Sequence, residues 1–87
     1  MLKKTWYVYI VECCDKTFYT GITTELERRL DEHNCSAEKG AKYTRMRRPV
    51  KLVYHETADS RGEAIKRERA IKKMEKGSKI SLINLAN

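Results

Sequence analysis

The sequence predicts a small α/β (α+β) domain, a three-stranded antiparallel sheet flanked by helices in the order β-β-α-(short helix or loop)-β-α-α. Three observations carry that prediction. An aromatic and β-branched run lies near the N-terminus, two Ser/Thr-x-x-Glu patterns precede stretches with helical apolar spacing, and a proline separates a basic segment from a further apolar run.

Trp6 to Cys13 reads as the first strand, and its apolar character at almost every position predicts that both faces are covered, so it should be central. Cys14-Asp15-Lys16 supplies a turn, and Thr17 to Thr20 continues as a second strand paired to the first as a hairpin and ended by Gly21. Thr24 and Glu27 form a capping-box pattern that predicts a helix over about residues 24–34, with Leu26, Leu30 and His33 at helical spacing. Ser36 to Arg48 is polar and basic and can hold a short helical turn before Pro49 imposes an extended entry to a third strand, Val50 to Glu56. Ser60 and Glu63 repeat the capping pattern for a helix that reaches about Glu75 and places Ala64, Ile65, Ile71 and Met74 on an apolar stripe. Gly77 can end it in the left-handed conformation, and Ser78 can cap a last helix carrying Ile80, Leu82, Ile83 and Leu85.

At 87 residues the chain has material for one core, so residues 1–87 are expected to form one domain with one small site. Nineteen Lys and Arg against twelve Asp and Glu give a net charge of +7, a field that concentrates polyanions and makes nucleic acid the first partner to test. A merely basic, solvated surface is the plainer alternative. The N-terminal apolar run is about six residues, too short for a membrane span, and it lacks a cleavage site, so a cytoplasmic protein is expected. Cys13, Cys14 and Cys35 are odd in number and form no even disulfide framework, as expected for reduced thiols.

Glu68 falls on the helical wheel among Ala64, Ile65 and Ile71, a carboxylate inside the stripe that should face the core. Such a group needs a cation, a metal or several hydrogen bonds, and an ion pair with Lys72 one turn on is the structural alternative. Arg29 and His33, one turn apart beside the buried face of the first helix, can meet one ligand, or can simply line the surface and close the helix end. Tyr7, Tyr9 and Tyr19 lie on the hairpin strands, where aromatic residues usually pack. The combination with a glycine, an arginine-histidine pair and a buried carboxylate exceeds what a core requires.

Tyr7-Val8-Tyr9, then Tyr19-Thr20-Gly21 ten residues after Tyr9, then Arg29 eight beyond the glycine and His33 four further, resembles the signature of the GIY-YIG nucleases. Glu68 in the run Ala64 to Lys72 is similar to the family's metal-binding glutamate. Tyr7 stands where the family name has glycine, Thr20 where it has isoleucine, and Asn84 is a candidate by order for a late asparagine of several active members. The chain looks most like the uncharacterised standalone single-domain members, which share a segment like Gly40 to Arg45 before Arg47-Arg48-Pro49.

The resemblance implies a metal-dependent endonuclease that hydrolyses phosphodiester bonds of nucleic acid, DNA ahead of RNA, as in DNA repair or recombination. Glu68 would hold one divalent cation, Mg²⁺ or Mn²⁺; Tyr9 would assist deprotonation of the nucleophile with Tyr19 nearby. Arg29 would stabilise phosphate charge, His33 would orient phosphate or share the proton, and Gly21 would let the backbone approach. Lys42, Tyr43, Arg45, Arg47 and Arg48, with Lys39 and Lys51, suit a phosphate backbone with one ring stacked on a base, or form a solvated loop. With no second specificity module, weak sequence preference and strong salt dependence follow. The rivals are a non-catalytic nucleic-acid-binding module of the same fold, a protein-interaction domain, and a zinc site from Cys13, Cys35 and His33, whose spacing is unlike structural zinc motifs.

Overall fold

The computed structural model describes residues 4–36 and 38–86. The elements are β1 (Trp6–Glu12), β2 (Phe18–Thr23), α1 (Leu26–Cys35), α2 (Lys42–Arg45), β3 (Lys51–Ala58), α3 (Arg61–Lys72) and α4 (Lys76–Ala86), in the expected order. The sheet is antiparallel with strand order β2-β1-β3, so β1 is central.

Because β1 is covered on both sides, its alternating side chains build two cores. Val8 and Ile10 face Ala64 and Ile71 of α3, with Phe18, Ile22, Val53, Met74, Leu82 and Ile83 around them. Tyr9, Val11 and Cys13 face the opposite way with Val50, beside Tyr19, Leu26, Leu30 and Leu52. The register changes between Ile10 and Val11 against β3, a local irregularity on the central strand.

The hairpin turn forms where its residues favour it. Lys16 N–H donates to Cys13 O at 3.0 Å, the Asp15 carboxylate accepts from Thr17 N–H and Oγ1 at 3.2 and 2.6 Å, and Lys16 takes a left-handed φ of 69°. Gly21, however, does not end β2. It pairs with Tyr9 in mid-strand, and a Cβ there would stand 2.5 Å from the Tyr9 hydroxyl. The glycine serves close approach rather than termination.

The first capping box does not form. Helix α1 begins two residues later than expected, with Glu25 as an extended N-cap that makes no side-chain cap, while Thr23 Oγ1 accepts from Glu25 N–H at 3.1 Å and shapes the strand-to-helix turn. The second box is half realised, since Ser60 Oγ accepts from Glu63 N–H at 3.2 Å and opens α3. Helix α3 stops at Lys72, short of Glu75, where Lys73 closes it in a right-handed conformation and Met74 N–H reaches Ile71 O at 3.0 Å. Gly77 and Ser78 therefore lie inside α4 instead of between helices, and no glycine among the described residues has a positive φ. The third strand begins one residue late and runs on to Ala58, because β1 still offers Tyr7 and Trp6 as partners to Thr57 and Ala58.

The basic segment folds back over the end of α1. A helical turn forms at Lys42–Arg45, and Gly40 passes so near α1 that a Cβ would meet Glu32 O at 2.6 Å and Ser36 O at 2.9 Å. Both are backbone atoms, which cannot rotate away. Gly40→Ala is expected to lower stability by about 1–3 kcal/mol, read as a shift of the urea midpoint without a change in slope; an unchanged midpoint would show that this crossing is not tightly packed.

Candidate active site

Five elements converge beside the edge strand β2. Strand β1 brings Tyr9, β2 brings Tyr19 and Gly21, α1 brings Arg29 and His33, α2 brings Tyr43 and Thr44, and α3 brings Glu68 and Lys72. Since Gly21 has no side chain, the Tyr9 hydroxyl lies against the β2 backbone.

His33 is fully buried and both ring nitrogens are engaged. Nε2 is 2.7 Å from the Tyr9 hydroxyl and Nδ1 is 2.9 Å from Thr44 Oγ1. Tyr19 meets the imidazole edge-on with centroids 5.3 Å apart. Burial, with the cations Arg29 and Arg48 in support against the opposing carboxylate of Glu32, pushes His33 down to about 4, so the ring is neutral at physiological pH. Burial likewise pushes the Tyr9 phenol up to about 12, aided by the Glu68 carboxylate and opposed by the Arg29 guanidinium, which lies within hydrogen-bonding reach of the hydroxyl. A neutral phenol thus faces a neutral imidazole.

Arg29 is partly exposed, 24% for its side chain, and donates to Glu32 Oε1 at 2.8 Å and to Lys39 O. Its neighbour Arg28 points outward to Glu25 and Glu32. The Glu68 carboxylate is neither fully buried nor alone: its side chain is 19% exposed and Oε2 is 3.4 Å from Lys72 Nζ, the ion pair expected one turn on. Lys72 Nζ in turn lies 6.0 Å from the centre of the Tyr19 ring.

The structure thus gathers Tyr9, Tyr19, Arg29, His33 and Glu68, but reassigns parts of the basic segment. Buried His33 is out of reach of a phosphate, so of its two expected roles only the sharing of a proton fits. Arg48 donates to His33 O, Ser36 O and Glu32 O and thereby caps the C-terminal carbonyls of α1 instead of facing a partner. Arg47 is held by Asp15 Oδ2 at 3.1 Å and Tyr43 O at 2.9 Å, with its guanidinium 3.9 Å from the centre of the Tyr43 ring. Tyr43 also stacks on Tyr19, so a base stacking there would compete with internal partners. Lys42 and Arg45 are exposed.

Asn84 lines a separate cleft with Glu12, Lys16 and Phe18, apart from the five site residues. Tyr7 packs edge-on against His55. Cys13 is a buried free thiol and Cys14 and Cys35 are exposed, and with both His33 nitrogens occupied a zinc site from Cys13, Cys35 and His33 has no free imidazole donor. Thr44 is the site residue that sequence reasoning missed, for a threonine in a basic loop carries no distinguishing pattern.

The depressed His33 value fixes a pH dependence. The unfolded chain takes up a proton near pH 6.5 that the folded chain accepts only near 4, so stability from the neutral buried ring is fully present above about 6.5 and is lost as pH falls through that window. Urea unfolding from pH 7 to 4 should show a loss on the order of 2–4 kcal/mol that His33→Gln largely removes; equal pH slopes in both proteins would contradict it.

The chain matches the GIY-YIG catalytic domain model over residues 5–81. It is 58% identical over 81 residues to a UPF0213 protein of Desulfotalea psychrophila, covering 93% of this chain and 73% of that one. It is 47% identical over 83 residues to a UPF0213 protein of Streptococcus agalactiae, covering 95% and 92%. A solution NMR structure of a protein from E. faecalis is similar with a TM-score of 0.63 at 45% identity, over 97% of this chain and 88% of that one. The NMR structure of a UPF0213 protein from Bacillus halodurans gives a TM-score of 0.59 at 42% identity, over 93% and 84%. Tyr9, Tyr19, Gly21, Arg29, His33 and Glu68 all fall inside the matched span, Asn84 lies beyond it, and the chain belongs to the GIY-YIG catalytic-domain family of nucleases.

Proposed function

We propose that the protein is a metal-dependent endonuclease that hydrolyses phosphodiester bonds, structure-directed or weakly sequence-specific, acting on DNA ahead of RNA in repair or recombination. The observation that carries this reading is the Tyr9 hydroxyl held 2.7 Å from a neutral, buried imidazole with a partly exposed guanidinium alongside.

A phenol near 12 is a poor base if it must first become a free phenolate. The hydrogen bond to His33 offers another route, in which Tyr9 Oη takes the proton of the attacking water while passing its own to Nε2. Tyr9 stays neutral throughout and the imidazole ends as the cation. Arg29 opposes that cation in the free protein, but a phosphate drawn to Arg29 offsets the repulsion, so substrate binding itself favours the transfer. The same guanidinium stabilises charge that grows on the phosphate oxygens, a contribution worth about 10² to 10³ in rate.

Glu68 offers a hard carboxylate donor beside the tyrosines, and among the described residues no cluster of three or more His, Cys, Asp or Glu accompanies it. Glu68 would hold Mg²⁺ or Mn²⁺, hard cations that take carboxylate oxygen, and its partner in the fold is Lys72. When bound, the cation supplies Lewis-acid stabilisation of the phosphate. Lys42 and Arg45 are exposed on the same segment and suit the phosphate backbone of a nucleic acid by their charge.

Labelled single-stranded, duplex and branched DNA and RNA, incubated with Mg²⁺ or Mn²⁺, test the proposal. Wild type should cut, Arg29→Ala should be slower by about 10²- to 10³-fold, and Glu68→Ala should lose metal-dependent cutting, with both variants folded by circular dichroism. Binding without cutting by the wild type, or wild-type rates from both folded variants, would overturn it; the first result would indicate a non-catalytic binding module.

A further inference from the structure

The buried polar chain continues past His33. Thr44 is fully buried, its Oγ1 is 2.9 Å from His33 Nδ1, and the same hydroxyl donates to Ala41 O at 2.9 Å. A hydroxyl carries one hydrogen. With that hydrogen on the Ala41 carbonyl, Oγ1 presents lone pairs to the ring, and Nδ1 must carry the proton for the contact to be a hydrogen bond. Ala41 N–H also points at Nδ1, from 3.4 Å, and is the longer and weaker of the two contacts at that nitrogen.

We propose that Thr44 is a positioning residue that fixes His33 as the Nδ1–H tautomer, leaving Nε2 bare to accept the Tyr9 proton. The inference rests on the endonuclease reading for its consequence in catalysis, but the tautomer exists whether or not the chain cleaves. In the other tautomer Nε2–H would donate to Tyr9 Oη, and among the described residues no other acceptor is hydrogen-bonded to the Tyr9 hydroxyl to take its proton. Helix α2 is four residues long and is anchored through Gly40 and Arg48 on the end of α1, so the hydroxyl is placed by the fold around it.

Nitrogen-15 NMR of the imidazole in the full chain tests the tautomer directly. Wild type should show a protonated Nδ1 and a bare Nε2; Thr44→Val, which keeps the shape and removes the hydroxyl, should mix the tautomers, and Thr44→Ser should restore the wild-type pattern. In cleavage assays Thr44→Val should lower kcat by about tenfold or more at unchanged KM, with recovery in Thr44→Ser. A protonated Nε2 in the wild type, or a wild-type tautomer ratio in Thr44→Val, would overturn the inference. If the wild type does not cleave, the endonuclease reading fails while the NMR result still decides the role of Thr44.

Discussion

The hydrogen bond between Tyr9 and His33 is the constraint around which the site and much of the fold are arranged. It joins the central strand to α1 inside the protein, where each polar atom must find a partner or cost about 1–3 kcal/mol. That requirement reaches outward: Gly21 gives up a side chain so that the phenol can lie against β2, and Gly40 gives up another so that α2 can come down and offer Thr44 to the second ring nitrogen. Arg48 then satisfies carbonyls at the end of the helix that carries His33. Four separate segments are thus committed to one imidazole.

The two-faced sheet explains why such a small chain can bear this arrangement. Val8 and Ile10 pack with α3 and with Leu82 and Ile83 of α4, supplying a hydrophobic layer, while the opposite face mixes Val11, Leu26 and Leu30 with the hydrogen-bonded Tyr9 and His33. Helix α3 nevertheless serves both purposes, since Ala64 and Ile71 enter the core and Glu68 with Lys72 stands toward the tyrosines. Edge strand β2 is where these groups meet, because no further strand covers it.

Much of this was legible in the residues. The unbroken apolar run of β1 announced a strand buried on both faces, Ser60 marked the start of α3, and Glu68 within an apolar stripe marked a carboxylate with a special partner. The errors arose where one residue type has two physical uses. Gly21 and Gly77 read as terminators, yet one admits a phenol in mid-strand and the other lies within a helix; Thr24 matched a capping pattern, but Thr23 shapes the turn. Arg48 looked like a phosphate ligand because charge in a loop does not disclose whether it faces solvent or helix carbonyls. Thr44 gave no signal, since its role depends on a tertiary contact with His33.

Tyr9→Phe tests the central claim most directly, because it deletes one oxygen and leaves the ring in the core. With circular dichroism showing a folded protein, the account predicts that Mg²⁺- or Mn²⁺-dependent cleavage of nucleic acid is lost while affinity for the same substrate is retained. Cleavage by the folded variant at the wild-type rate would contradict it.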